Sequence, residues 1–347
     1  MDVAQDLRWT VGKDRVRREG GSIVVRPPDA KVLSRVVKLA AKKRLPVGTA
    51  WNAPVRVDLS DMNKVLVWDM DACSVTVEAG VPCSRLFEFL YERNFLASIP
   101  IATVPVGEWA ETGTPGFGAF GLGGPATAVR GVQALTLDGD FLDTGPSRAA
   151  SGPFDLKGLF LGGRRALGIV AAVTLQLRPR GAVKSLSYAF ADGAALGKAL
   201  AALARSVAVS PVHVGFTPGP PALHAVLATD PDLLPVEEAE LDKVLAAAAG
   251  APPAKAQASL AEAGLQKPLA QSAAQWPKVP VHPLQTPLRG RLATVAEVAA
   301  GPSVAGLLVD RTRAFVADGE MPARDGFLRI AKLLKEHFDP PRIYGAY

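Results

Sequence analysis

The stretch "LPVGTAWNAPVRVDLSDMN", residues 45–63, carries the strongest indication of the fold. Its second half predicts a short strand over 55–59 that ends in a polar turn, as strands do on the approach to a nucleotide site. Its first half has one glycine, Gly48, where a loop that wraps a phosphate needs several. Glycine is needed there because side chains would keep the backbone N–H groups away from the phosphate. The stretch therefore keeps the frame of a nucleotide-binding loop and lacks most of its glycine.

Length and composition place the chain among ordinary globular proteins. It has 347 residues, 48% of them hydrophobic, which suffices for a large core or for two domains. Its net charge is +6, but the basic residues are scattered and no basic run is interleaved with aromatic residues, so we expect no nucleic-acid partner. No apolar run approaches the roughly 20 residues that cross a bilayer, and the polar first 20 residues lack the pattern of a signal peptide. These features predict a cytoplasmic protein.

The residues that bind metals are few. Cys73 and Cys83 are the two cysteines, too few for a zinc or iron–sulfur site. His213 and His224 flank a "TPGPP" turn, so the two imidazoles could face each other across a hairpin and bind a metal. The alternative is that both histidines are ordinary packed or exposed residues. No two of the four histidines have metal-ligand spacing such as i, i+2 or i, i+4. We predict no metal site and no catalytic residue in this chain.

Strands and helices mix over residues 22–180, which predicts an α+β domain. Asp29 is predicted to cap a helix over about 30–43, and Ser84 to cap a second helix. The Asp138–Gly139 pair predicts a hairpin turn. The strand that follows the "GGRRALGIV" segment is predicted to be buried.

The composition changes after residue 181, where alanine and proline dominate. We therefore divide the chain into a first domain over 1–181, a reduced α/β cap over 182–316 with a thin core, and a C-terminal helix over 317–347 that returns to the first domain. One face of a helix in the cap is predicted from Leu196, Leu200, Leu203 and Val207.

The order of several segments resembles the FAD-binding fold of the vanillyl-alcohol-oxidase type, also called PCMH-type. These segments are "VVRPPDAKVLSRVVKLAAKKRLPV", "VDLSDMNKV", "VTVEAGVPCSRLFEFLYERN", "DLKGLFLGGRRALGIVAAVTLQLRP" and "LKEHFDP". Within that fold, the chain is most similar to the smaller FAD-fold subunit of bacterial glycolate oxidase. The resemblance implies a two-subdomain α+β fold, FAD as cofactor, and a complex with a larger flavin subunit and an iron–sulfur subunit. Such partners would allow a peripheral place at the inner membrane.

The resemblance also implies where FAD would be held, although this chain departs from the pattern. The first loop is short and contains Trp51, and Phe117 stands where the second segment usually has a glycine. The Gly-x-x-Asn-Pro-Gly turn that usually follows the final "DP" is absent from the sequence. The implied cofactor-binding residues are Gly48 and Thr49 in the first segment, Gly113, Thr114, Gly116 and Gly118 in the second, and Arg164, Arg165, Leu167, Gly168 and Ile169 in the third.

Three functions fit these departures. The chain is a non-catalytic subunit with weakened or lost FAD binding, an active FAD-dependent oxidoreductase with an altered pyrophosphate clamp, or a binding protein that reuses the cleft. Arg164 and Arg165 would supply the altered clamp through charged hydrogen bonds, unless they are plain surface charges. Two surfaces are candidates for docking a partner: the cap over 181–316 and the basic helix face of Lys31, Arg35, Lys38 and Lys42.

Overall fold

The computed structural model describes residues 3–48, 53–136, 138–145, 155–163, 167–218, 220–257, 291–294, 306–308 and 313–316. The α-helices of these residues are α1 (Val3–Val11), α2 (Ala30–Lys42), α3 (Cys83–Glu92), α4 (Val106–Thr112), α5 (Ala119–Leu122), α6 (Pro125–Ala128), α7 (Gly193–Arg205) and α8 (Leu234–Ala249). The predicted C-terminal helix lies outside the described residues.

The first sheet is small and mostly parallel. Its strands are β1 (Val16–Glu19), β2 (Ser22–Val25), β3 (Val47–Gly48) and β4 (Val55–Val57), in the order β1-β2-β4-β3. Helix α2 connects β2 to β3, and its apolar side packs in one core with Val25 and Val55. The Asp29 carboxylate accepts a hydrogen bond from the backbone N–H of Val32 at 2.8 Å, so the predicted cap is confirmed.

The second sheet has five antiparallel strands. They are β5 (Val65–Asp69), β6 (Ser74–Glu78), β8 (Val129–Leu135), β9 (Phe141–Asp143) and β10 (Ile169–Gln176), in the order β5-β6-β10-β8-β9. The predicted hairpin joins β8 to β9, with Gly139 at a φ of 77° in its turn. The short strand β7 (Phe95–Leu96) pairs with β11 (Arg178–Pro179) beside this sheet.

The prediction that Ser84 caps the second helix is wrong. Helix α3 begins one residue earlier, at Cys83, with Pro82 as its N-cap. Ser84 is buried inside the first turn, and its backbone N–H donates to the carbonyl of Ala102 at 2.8 Å. The incoming loop therefore satisfies the helix terminus with its own carbonyls instead of a side chain.

Among the described residues, the third sheet contains seven strands: β12 (Ala182–Ala189), β13 (His213–Pro218), β14 (Pro221–Thr229), β15 (Ala254–Gln257), β16 (Arg291–Thr294), β17 (Gly306–Leu308) and β18 (Arg313–Val316). Their order is β15-β12-β14-β13-β17-β18-β16. Helices α7 and α8 cover one of its faces and form a second apolar core that includes Leu196, Leu200 and Leu203. The prediction that Val207 shares this face is wrong, because α7 ends at Arg205 and leaves Val207 81% exposed.

The first two sheets meet at a close backbone contact. A Cβ atom on Gly80 would lie 1.9 Å from the carbonyl oxygen of Leu59, so only glycine fits there. On the other side of this contact, the N–H of Ala79 donates to the carbonyl of Ala171 at 2.9 Å. These two contacts hold the start of β10 close to the carboxyl end of β4, near the candidate site.

Candidate functional site

The first candidate segment begins at the end of β3. Gly48 is the last residue of that strand, is buried, and lies beside Arg56 of β4 in parallel register. Thr49 and Trp51 lie outside the described residues. Val47, the neighbour of Gly48, packs in the same core as Ile169, so the first and third candidate segments approach one another.

The second segment starts where α4 ends. Gly113 closes this helix in the left-handed conformation, with a φ of 68°, and its N–H donates to the carbonyl of Trp109. The indole N–H of Trp109 in turn donates to the carbonyl of Thr114 at 2.7 Å, in a buried position. The Trp109 side chain therefore holds the candidate segment onto the helix that precedes it.

Gly116 and Gly118 lie in the following turn, which is buried. A Cβ on Gly116 would meet the Ile99 carbonyl carbon at 2.4 Å, so this glycine is needed for close packing of the chain on itself. The backbone N–H groups of residues 116–118 donate to no other residue within the described part of the chain. Because buried N–H groups normally have an acceptor, these three donors suit an anion such as a pyrophosphate.

Phe117 occupies the position where the resembling fold usually has glycine. Its side chain is 1% exposed and contacts the edge of the Phe87 ring, with 5.2 Å between the ring centroids. On its other side it stacks on the imidazole of His213 at 5.1 Å, with 22° between the ring planes. The substitution therefore places a large side chain between the first domain and the third sheet.

The third segment enters β10 at Leu167, Gly168 and Ile169. Gly168 has a φ of 155°, and a Cβ there would lie 2.1 Å from the carbonyl oxygen of Leu135. The neighbouring strand therefore requires glycine at this position whether or not a flavin is bound. Arg164 and Arg165 lie outside the described residues, so their contact with a phosphate stays a prediction.

Sequence reasoning missed Glu111, which joins the second and third segments. Its side chain is 3% exposed, and Oε1 accepts a hydrogen bond from the N–H of Val170 at 3.1 Å. That N–H lies at a register shift between β10 and β8, which explains why a side chain has to serve as its acceptor. A single glutamate near the end of a short helix resembles a surface residue, so no pattern could have identified it.

The two histidines of the hairpin lie on one face of the third sheet but not opposite each other. His213 pairs with Val226, and His224 pairs with Gly215, so the two imidazoles are diagonal neighbours. Val226 packs into the core of the first domain together with Phe117, so this face points toward that domain. Within the described residues, no group of three or more His, Cys, Asp or Glu side chains is arranged to hold a metal ion.

Comparison with known proteins identifies an FAD-binding domain within the first part of the chain, while the predicted division at residue 181 stays a prediction. A family model described as an FAD binding domain matches residues 21–145. Among solved structures, an alkyldihydroxyacetonephosphate synthase superposes with a TM-score of 0.73 at 14% identity, over 98% of this chain and 84% of that one. A p-cresol methylhydroxylase superposes with a TM-score of 0.68 at 17% identity, over 98% and 86% of the two chains. The predicted α+β fold of the vanillyl-alcohol-oxidase type is thus confirmed.

Curated relatives match at lower coverage. The mitochondrial D-2-hydroxyglutarate dehydrogenase of Arabidopsis thaliana is 27% identical over 52% of this chain and 35% of its own length. The mitochondrial cytochrome-type D-lactate dehydrogenase 1 of Saccharomyces cerevisiae is 25% identical over 55% of this chain and 35% of its own. The matched region thus spans about a third of the length of these relatives. Within the described residues, no helix is long and apolar enough to cross a membrane.

Proposed function

We propose that this chain, which has an FAD-binding domain of the vanillyl-alcohol-oxidase type, is a non-catalytic subunit of a glycolate-oxidase-like dehydrogenase complex for 2-hydroxy acids. We further propose that it holds FAD weakly or not at all. The curated relatives support the substrate class, because their names describe dehydrogenases of two different 2-hydroxy acids, D-lactate and D-2-hydroxyglutarate. In such an enzyme, FAD would accept the two electrons that leave the substrate.

The stack of Phe117 on His213 is the observation that carries this proposal. A base that acts on a 2-hydroxy acid must come within hydrogen-bond distance of the reacting proton. His213 lies on the sheet face that meets the FAD-binding domain, but its side chain is 0% exposed and covered by the Phe117 ring. This imidazole therefore serves packing between the domains and would reach a substrate only if Phe117 moved away.

The candidate cofactor segments fit FAD in part. The N–H groups of residues 116–118 remain suited to a phosphate, whereas the sequence between Gly48 and Val55 is short and poor in glycine. Each hydrogen bond lost to a charged phosphate costs about 1.5–3 kcal/mol. The loss of two such bonds would raise the Kd of a nanomolar site to about 0.2–25 micromolar. We therefore expect the fold to persist with a much reduced affinity for FAD.

An active flavoenzyme is the second candidate. The three N–H donors at residues 116–118 favour it, because they keep part of a phosphate site buried inside the domain. In that case Arg164 and Arg165 would replace the missing donors of the first loop. The residues around FAD would then bind its pyrophosphate and exclude water, while the base would have to come from a residue other than the stacked His213.

The proposed complex requires a docking surface for a larger flavin subunit or an iron–sulfur subunit. Helix α2 presents Lys31, Arg35 and Lys42 to solvent, whereas Lys38 is paired with Asp140 at 2.7 Å. An acidic surface on a partner would complement these three cations. The third sheet with its helices is the other candidate, because it forms a separate layer beside the FAD-binding domain.

Flavin content and activity test these proposals together. We expect the purified chain to be nearly colourless, to bind added FAD weakly in a titration followed by flavin fluorescence, and not to oxidise D-lactate or D-2-hydroxyglutarate with an artificial electron acceptor. A tagged chain in a native extract should co-purify with a flavoprotein or an iron–sulfur protein. A yellow preparation with about one flavin per chain and 2-hydroxy acid oxidation would refute the non-catalytic proposal and support the active flavoenzyme.

A further inference from the structure

Strand β5 forms an apolar edge of the second sheet. Within the part of the chain that the structure describes, it is the first strand in the order β5-β6-β10-β8-β9, and β6 is its one neighbour there. Three consecutive residues of the strand are open to solvent: Val65 is 39% exposed, Leu66 46% and Val67 54%. Soluble proteins usually protect such edges with charge or cover, since an open apolar edge is a template for pairing with another strand.

The edge is also held firmly in place. Trp68, from the same strand, packs edge-on against Phe89 and Phe95 with ring centroids 5.5 and 5.4 Å apart. The N–H of Lys64 donates to the Glu78 carboxylate at 2.8 Å, which fixes the residue just before the strand. The register with β6 shifts between Val65 and Val67, so Leu66 is left out of the ladder and stays available on the outer side. A partner strand would therefore meet a preformed edge.

The sequence of this edge is complementary to itself. Because Leu66 is bulged out of the ladder, Val67 is the centre of the remaining positions. In a two-fold antiparallel pair of two copies centred on Val67, Lys64 of one copy lies opposite Asp69 of the other, and Val65 lies opposite Trp68. Residues directly opposite each other in antiparallel strands share a face, so the pairing places an ion pair at each end and apolar contacts between them. Both Lys64 and Asp69 are exposed, as this pairing requires.

We propose that β5 is a self-association surface through which two copies of this chain pair edge to edge about a two-fold axis, joining two five-stranded sheets into one ten-stranded sheet. The matched charges at both ends favour a second copy over an unrelated strand. Because the same patch serves both copies, the contact closes on itself and does not propagate into a fibre. A strand of about six residues buries less than a standard interface, so we expect a dimer that dissociates on dilution.

A charge-swap experiment on the full chain tests this pairing. Lys64→Glu places Glu opposite Asp69 twice in each dimer, and Asp69→Lys places Lys opposite Lys64 twice. We expect either variant alone to lose affinity for itself by about tenfold or more in sedimentation velocity. An equimolar mixture of the two variants should dimerise again, because each remaining pair then joins opposite charges.

The mixture also serves as the control for folding. Asp69 accepts a hydrogen bond from the N–H of Ala72 at 2.8 Å, so its replacement loosens a turn. Recovery of the dimer in the mixture shows that both variants keep the edge intact. A wild-type chain that stays monomeric at every concentration, or a Lys64→Glu variant that self-associates as well as wild type, would overturn the proposal. A mixture no more dimeric than its components would overturn the antiparallel register.

Discussion

Replacement of Gly168 by alanine tests whether folding or FAD binding requires glycine at this position. At a φ of 155°, the backbone lies in a region that residues with a Cβ rarely adopt, which costs about 1–3 kcal/mol. The new Cβ would also lie 2.1 Å from the Leu135 carbonyl oxygen, and the overpacking costs about 1–3 kcal/mol more. We therefore expect Gly168→Ala to lower the free energy of unfolding by about 2–6 kcal/mol.

The assay is urea unfolding of the FAD-free protein, followed by circular dichroism. Gly145→Ala is the matched control, because Gly145 also has a positive φ, 67°, but no atom lies within 4 Å of its Cβ position. The control should lose about 1–2 kcal/mol, as expected from backbone strain alone. The reasoning is refuted if Gly168→Ala unfolds like wild type without FAD and yet abolishes binding of added FAD, since the glycine would then serve the flavin.

Three further predictions concern buried groups near the site. Phe117→Ala should lower the free energy of unfolding in urea by about 3–5 kcal/mol, because it removes a buried ring that packs on Phe87 and His213. A loss under about 1 kcal/mol would contradict this packing. Glu111→Ala should lower the free energy of unfolding by about 1–3 kcal/mol, because the Val170 N–H loses this acceptor. Glu111→Gln keeps an acceptor oxygen and should lose less, so equal losses in the two variants would argue against this hydrogen bond. Burial strongly raises the pKa of the Cys83 thiol, so a thiol reagent at mildly alkaline pH should modify half-exposed Cys73 quickly and Cys83 only after unfolding; equal rates would contradict the burial.

Local signals in the sequence predicted much of the fold. The cap at Asp29 and the hairpin around Gly139 depend on neighbouring residues alone, so their patterns were sufficient. Ser84 shows the limit of such signals, since the carbonyl of Ala102, far along the loop, replaces a side-chain cap. Which face of the third sheet meets the first domain depends on tertiary packing, and no local pattern predicts it.

Sequence reasoning named three candidate segments, and their role in binding FAD stays a prediction. The sequence suggested the segments at residues 48, 113–118 and 167–169, whose neighbourhoods come together in the fold through Val47, Glu111 and Val170. It did not reveal that Phe117 packs on a histidine from another domain, because the two residues are almost a hundred positions apart. Nor could it distinguish a glycine that is required by a neighbouring carbonyl from one that is required by a bound flavin, because both are the same residue in the sequence.

The crowding around Gly116 and Gly168 has a consequence for how lineages of this fold evolve. Selection for folding alone would retain both glycines in a descendant that had stopped using a nucleotide, because any mutant with a side chain there would be purged as unstable. We expect such positions to stay fixed longer than a glycine whose Cβ position meets open space, such as Gly145. Glycine at Gly116 and Gly168 would therefore be a poor indicator of a bound nucleotide in a descendant of this fold, because packing alone retains it.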